Sequence, residues 1–184
     1  MPRRGLFIAF LVLLPGASLF AQYRVGPRRS EQSRSVVGNY CRMDYEGLRL
    51  TKESWPRMKL LTTWKENPYW QGFTIVSQYD LLSANDGLRS ATVEVQYSIL
   101  GHFEPGIGFV ADPRRELVIF RLKDVDSAWK IDQLDPPINP HVSRPRAIAW
   151  LKSALAAEKD RANRLAIEKA LKDLGGNPAI TNRQ

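Results

Sequence analysis

The chain has one cysteine, Cys41, and two histidines, His102 and His141, in 184 residues. A single cysteine excludes any intrachain disulfide framework. One Cys and two widely separated His leave a structural zinc site without ligands, so no metal and no cofactor is expected. There is no Gly-x-Ser-x-Gly elbow. Gly106-Ile107-Gly108 lacks the third glycine and following helix of a dinucleotide loop. Long apolar runs are also missing. The longest, Leu6–Leu14, falls short of the roughly 20 residues that span a bilayer. No internal repeat or low-complexity tract stands out.

What is present is export-like at one end and globular in the middle. Arg3-Arg4 followed by Leu6–Leu14 and then Pro15-Gly16 reads as a signal peptide over residues 1–21, cleaved after Ala21 or, as the alternative, Ser18. The expected location is therefore periplasmic or extracellular, with no integral membrane span after cleavage. The formal charge of +8 divides unevenly. Val36–Ser143 holds 12 Lys and Arg against 14 Asp and Glu, a balance of −2, so the positive excess lies on the two flanks. A slightly acidic fold with basic ends argues against a nucleic-acid partner.

Residues 22–35, with four Arg, Gly26 and Pro27, are expected to be a disordered basic tether. Ser35 then caps a helix from Val36, whose Val36, Val37, Tyr40, Cys41, Asp44 and Leu48 fall at three- and four-residue intervals on one face. Gly47 ends it. A second, short or bent helix follows Thr51, with Pro56 inside it. Phe73–Leu81 and Ala91–Ile99 alternate in period two around the turn Asn85-Asp86-Gly87. Gly101–Arg115 reads as a loop. Glu116–Leu134 reads as a hairpin turning at Asp124–Ser127, with Trp129, Ile131 and Gln133 on one face. From Ser143 a long C-terminal helix is expected over Arg144–Leu174. About 30 residues would reach about 45 Å, so it either breaks near Ala157–Asp160 or leaves the body.

The order of two helices and four strands, with Val36-Val37-Gly38-Asn39-Tyr40 and Gly47 early and Val118–Leu122 before Trp129-Lys130-Ile131 late, resembles the nuclear-transport-factor-two-like superfamily. The resemblance covers about residues 35–135. It implies an α+β domain over 36–140, with N-terminal helices packed on a curved antiparallel sheet that forms a cone around a pocket. It also implies a role for Tyr40, which matches the helix-borne oxyanion donor of the isomerase branch; Asp44 lies four residues on, able to share its face. The candidate pocket set is Tyr40, Asp44, Trp64, Tyr79, Tyr97 and Trp129. With no complete catalytic constellation, the leading expectation is a non-enzymatic binding domain for a small apolar ligand or another envelope protein. The alternative is an isomerase- or cyclase-like enzyme. The segment 141–184 is the candidate surface for a homodimer or an envelope partner.

Overall fold

The computed structural model describes residues 27–176. The expected signal peptide lies outside the described residues. Over the described residues the fold is α+β: a curled, half-barrel sheet of five strands with four α-helices. The helices are α1 (Pro27–Tyr45), α2 (Trp55–Lys59), α3 (Arg144–Ala157) and α4 (Arg161–Asp173). The strands are β1 (Phe73–Asp86), β2 (Ser90–Glu104), β3 (Gly108–Val125), β4 (Ala128–Asp135) and β5 (His141–Ser143), in spatial order β4-β3-β2-β1-β5.

Long strands curl when extra residues interrupt the ladder. The β1–β2 register shifts at three places between Ile75 and Ser83. In the β2–β3 ladder Ile99 faces Arg114 and Gly101 faces Ala111, which leaves Asp112 and Pro113 in a bulge. A proline is tolerated there because no ladder bond is required of it. Gly101 is needed opposite: a Cβ would sit 2.3 Å from the Val110 carbonyl oxygen and 2.7 Å from the Phe109 ring.

Two apolar cores form at opposite ends of the long strands. The first lies under α1, where Val37, Tyr40 and Cys41 pack on Val93, Val95 and Tyr97 of β2, Val118 and Phe120 of β3, and Trp129 and Ile131 of β4. The second joins Phe73 and Ile75 of β1 and Phe103 of β2 to Leu151 and Leu155 of α3 and to Ile167, Ala170 and Leu171 of α4.

Several expectations are corrected. Helix α1 begins at Pro27, so residues 27–35 are not a disordered tether. Apolar content undervalued this stretch because its anchor is polar: the buried Ser33 hydroxyl donates to Asp86 Oδ1 at 2.7 Å. The expected loop Gly101–Arg115 is mostly strand, with β2 and β3 meeting at a turn over 105–107. The sheet is mixed rather than antiparallel, since β5 runs parallel to β1 through Thr74, Ile75 and Val76. On β4, Gln133 is exposed and Leu134 buried, because a register shift beside Arg121 moves the strand by one residue. The long C-terminal helix is two shorter ones, parted between Ala157 and Arg161, where a break was one of the two expectations. Glu158 is extended (φ −72°, ψ 131°), and Asp160 restarts the chain as an N-cap, its carboxylate accepting from Asn163 N at 2.8 Å. α4 then folds back on α3 and β3.

Other expectations hold in detail. Gly47 follows α1 in the left-handed region at φ 81°. The hairpin turn places Asp126 and Ser127 at positive φ, 51° and 65°, as a two-residue connection between right-twisted strands requires.

Candidate functional site

Helical spacing puts Tyr40, Cys41 and Asp44 on the inner face of α1, all at most 1 % exposed. Asp44 is the polar hub beneath the helix. Its Oδ2 accepts the His141 backbone N–H at 3.1 Å and lies 3.5 Å from Arg49 Nη1. Arg49, itself 1 % exposed, directs both terminal nitrogens at the Ile138 carbonyl, 3.4 Å from each. A buried carboxylate and guanidinium are kept together because either alone would be a desolvated, uncompensated charge. The His141 ring lies 4.3 Å from the Tyr97 ring, tilted by 33°. Its Nδ1 lies 2.9 Å from the Asn139 carbonyl, which can only accept, so Nδ1 carries the proton. Its Nε2 faces Glu116 Oε2 at 3.8 Å, and Glu116 accepts from Arg114 at 3.4 Å. Polar contacts thus run from Arg114 through Glu116, His141 and Asp44 to Arg49.

Burial governs the ionisation of this interior. It pushes the Cys41 thiol up to about 12, against a hydrogen-bonding contact of 3.2 Å with the Tyr97 hydroxyl. It raises the Tyr40 and Tyr97 phenols as well. It raises the Asp44 carboxyl, with Arg49 and His141 pulling the other way. Glu116 moves oppositely: His141, and behind it Arg114, hold its carboxyl below the ordinary range despite partial burial.

The six residues expected to line a pocket are brought together, but as packing. Tyr40 meets Trp64 edge-on at 6.0 Å and Phe120 at 5.6 Å. Tyr79 stands 6.1 Å from Tyr97 and 5.7 Å from Tyr45. Trp129 is 6 % exposed within the same core. Trp64 donates to the Asp132 carbonyl at 2.8 Å and borders a small cleft of about 190 Å³ with Arg49 and Pro68. Among the buried polar atoms of this interior that make no hydrogen bond are the Tyr40 hydroxyl, Asp44 Oδ1, Arg49 Nε and His141 Nε2.

The roomier spaces lie elsewhere. The loop after Asn67-Pro68 carries Tyr69 and Trp70 as a ridge between two open clefts. One, of about 740 Å³, is bordered by Tyr69, Trp70, Gln71, His102, Arg114 and Asn139. The other, of about 390 Å³, is bordered by the same two aromatics with Leu50, Thr51 and Asn67. Tyr69 is 86 % exposed, whereas Trp70 also packs on the second core. His102 was expected in a loop; it stands on β2, with Nε2 3.1 Å from Glu104 Oε1. Arg114 is bound by Asp112 and Glu116. Reading the sequence for periodicity passed over Tyr69, Trp70 and Arg114, because none belongs to a periodic face. The available signal was two adjacent aromatics directly behind a proline break.

Among the described residues no group of three His, Cys, Asp or Glu is placed to hold a metal ion. Among the same residues no helix is long and apolar enough to cross a membrane. On α4, Ala166, Ile167, Ala170 and Leu171 are buried within the chain, while Leu165, in the segment offered to a partner, stays 58 % exposed. Comparison with protein-family models, with curated proteins and with solved structures finds no match.

Proposed function

We propose that this chain is an exported, non-enzymatic binding domain with the cone-like build of the nuclear-transport-factor-two-like superfamily. Its ligand sits in the open clefts beside Tyr69-Trp70 rather than inside the cone. The observation that carries this reading is a contrast in exposure. The ring of Tyr69 stands 86 % open between two clefts, while Tyr40, Asp44 and Tyr97 are at most 1 % exposed. A large aromatic left in water at the border of a concave surface is a contact waiting for a partner. The test is a ligand-observed NMR screen of small molecules against the protein purified from an exporting host. Binders should lose their signal with Tyr69→Ala and keep it with Tyr40→Phe. Binders that ignore Tyr69→Ala but vanish with Tyr40→Phe would return the ligand to the interior and defeat the proposal.

A second reading rests on the Tyr40 hydroxyl and Asp44 Oδ1, two buried polar atoms of one helix face without hydrogen bonds. A hydroxyl donor beside an acid is the equipment of an isomerase- or cyclase-like enzyme. It requires Trp64 or Phe120 to move aside. Turnover of a small hydrophobic ketone that Tyr40→Phe abolishes without unfolding the domain would favour it.

A further inference from the structure

We infer that the ligand of the Tyr69-Trp70 clefts is a neutral, polyhydroxylated chain, an oligosaccharide; this rests on the binding reading above. Three observations point there.

The first is the chemistry of the walls. Two aromatic rings form the ridge, and around them stand side chains with flat polar ends: Gln71, His102, Arg114 and Asn139. Aromatic faces pack on the C–H faces of pyranose rings. Planar amides and guanidinium groups present paired donors or acceptors at the spacing of vicinal hydroxyls. An apolar ligand would cover the amides of Gln71 and Asn139 without pairing them.

The second is charge. Arg114 is already paired with Asp112 and Glu116, and His102 with Glu104. The larger cleft therefore has no unmatched cation to draw a phosphate or carboxylate, and its one lining carboxylate, Glu104, lies 3.1 Å from His102 Nε2.

The third is the absence of a ladder to extend. A peptide laid beside a sheet gains its affinity by pairing with an open strand edge. Here β1, the strand that brings Thr74 to the cleft, is paired on both sides, to β2 at His102 and to β5 at His141. The ridge also has a cleft on each flank, which suits a ligand longer than one ring.

The experiment titrates the whole protein, purified from an exporting host, with the tetrasaccharides of β-1,4-linked N-acetylglucosamine and of β-1,4-linked glucose, followed by tryptophan fluorescence and calorimetry. Saturable binding of at least one, with Kd below about 1 mM, is expected. Tyr69→Ala, whose thermal unfolding should match the parent, is expected to weaken it at least about tenfold. Arg114→Gln tests the polar wall separately and should weaken it by a smaller factor. If neither tetrasaccharide binds while small molecules of another class, or an extended peptide, still bind in a Tyr69-dependent way, the saccharide inference is overturned and the binding reading stands. If no class of ligand depends on Tyr69, both fall.

Discussion

The two ends of the sheet have solved opposite problems. Under α1 the half-barrel encloses charge: Asp44 and Arg49 lie 3.5 Å apart, each about 1 % exposed on its side chain. At the other end β1 and β2 enclose an almost wholly apolar core against α3 and α4 but leave Tyr69 in water on the rim. Polar groups are hidden at one end and an aromatic is displayed at the other. Buried polar residues in a curled sheet can thus be architecture, while recognition belongs to a loop the curl leaves outside.

That contrast is broken most directly at the enclosed pair. Arg49→Met leaves Asp44 as a lone buried carboxylate and should cost about 3–5 kcal/mol in urea unfolding. Pairing it with Asp44→Asn should recover part of that loss, since no uncompensated charge then remains. A loss under about 1 kcal/mol would mean that water reaches the pair.

Alkaline pH sharpens the same point. Folding holds the Cys41 thiol up at about 12, whereas an exposed thiol ionises near 9.0. Between those values the unfolded chain binds fewer protons, so stability is intact below about pH 9 and falls as pH rises towards 12. For Cys41 the loss should be on the order of 1 kcal/mol at pH 10. The difference in urea stability between pH 8 and pH 10 should therefore shrink by that amount in Cys41→Ala. An unchanged difference would assign the alkaline sensitivity to the Tyr40 and Tyr97 phenols.

At the apolar end a smaller effect is expected where the C-terminal helices part. Asp160→Ala removes the acceptor for Asn163 N and should cost about 1 kcal/mol. Smallest of all, Tyr69→Ala should change stability by no more than about 0.5 kcal/mol, as expected for an exposed side chain. A larger destabilisation would make Tyr69 a packing residue and remove the contrast.

Much of this architecture could be read from residue spacing. The period-two runs Phe73–Leu81 and Ala91–Ile99 became β1 and β2, and the Val37, Tyr40, Cys41, Asp44 stripe became the buried face of α1. These signals are strong because one face is buried and the other wet. What was missed had no such period. β3 was hidden by Pro113 and by the glycines at its start, since a bulge and a tight turn look like a loop in one dimension. β5 is three residues long and acquires its identity only by pairing with β1. The partners of Asp44 are Arg49, five residues away, and His141, 97 residues away; only folding brings the second to it. The aromatic residues of the candidate pocket lie in or against one core, and whether grouped aromatics enclose a space or fill it depends on packing that spacing does not encode.

The central claim is that the interior beneath α1 is closed and the rim is where the molecule meets its ligand. Cys41 is the only cysteine of the chain and sits in that interior, so it is a built-in probe. The measurement is its rate of reaction with an aromatic disulfide reagent at pH 8, in native buffer and in urea. A closed interior predicts a native rate at least about a thousandfold below the unfolded one, limited by transient unfolding. A native rate within about tenfold of the unfolded one would mean that small molecules enter beside Tyr40, and the account would be wrong.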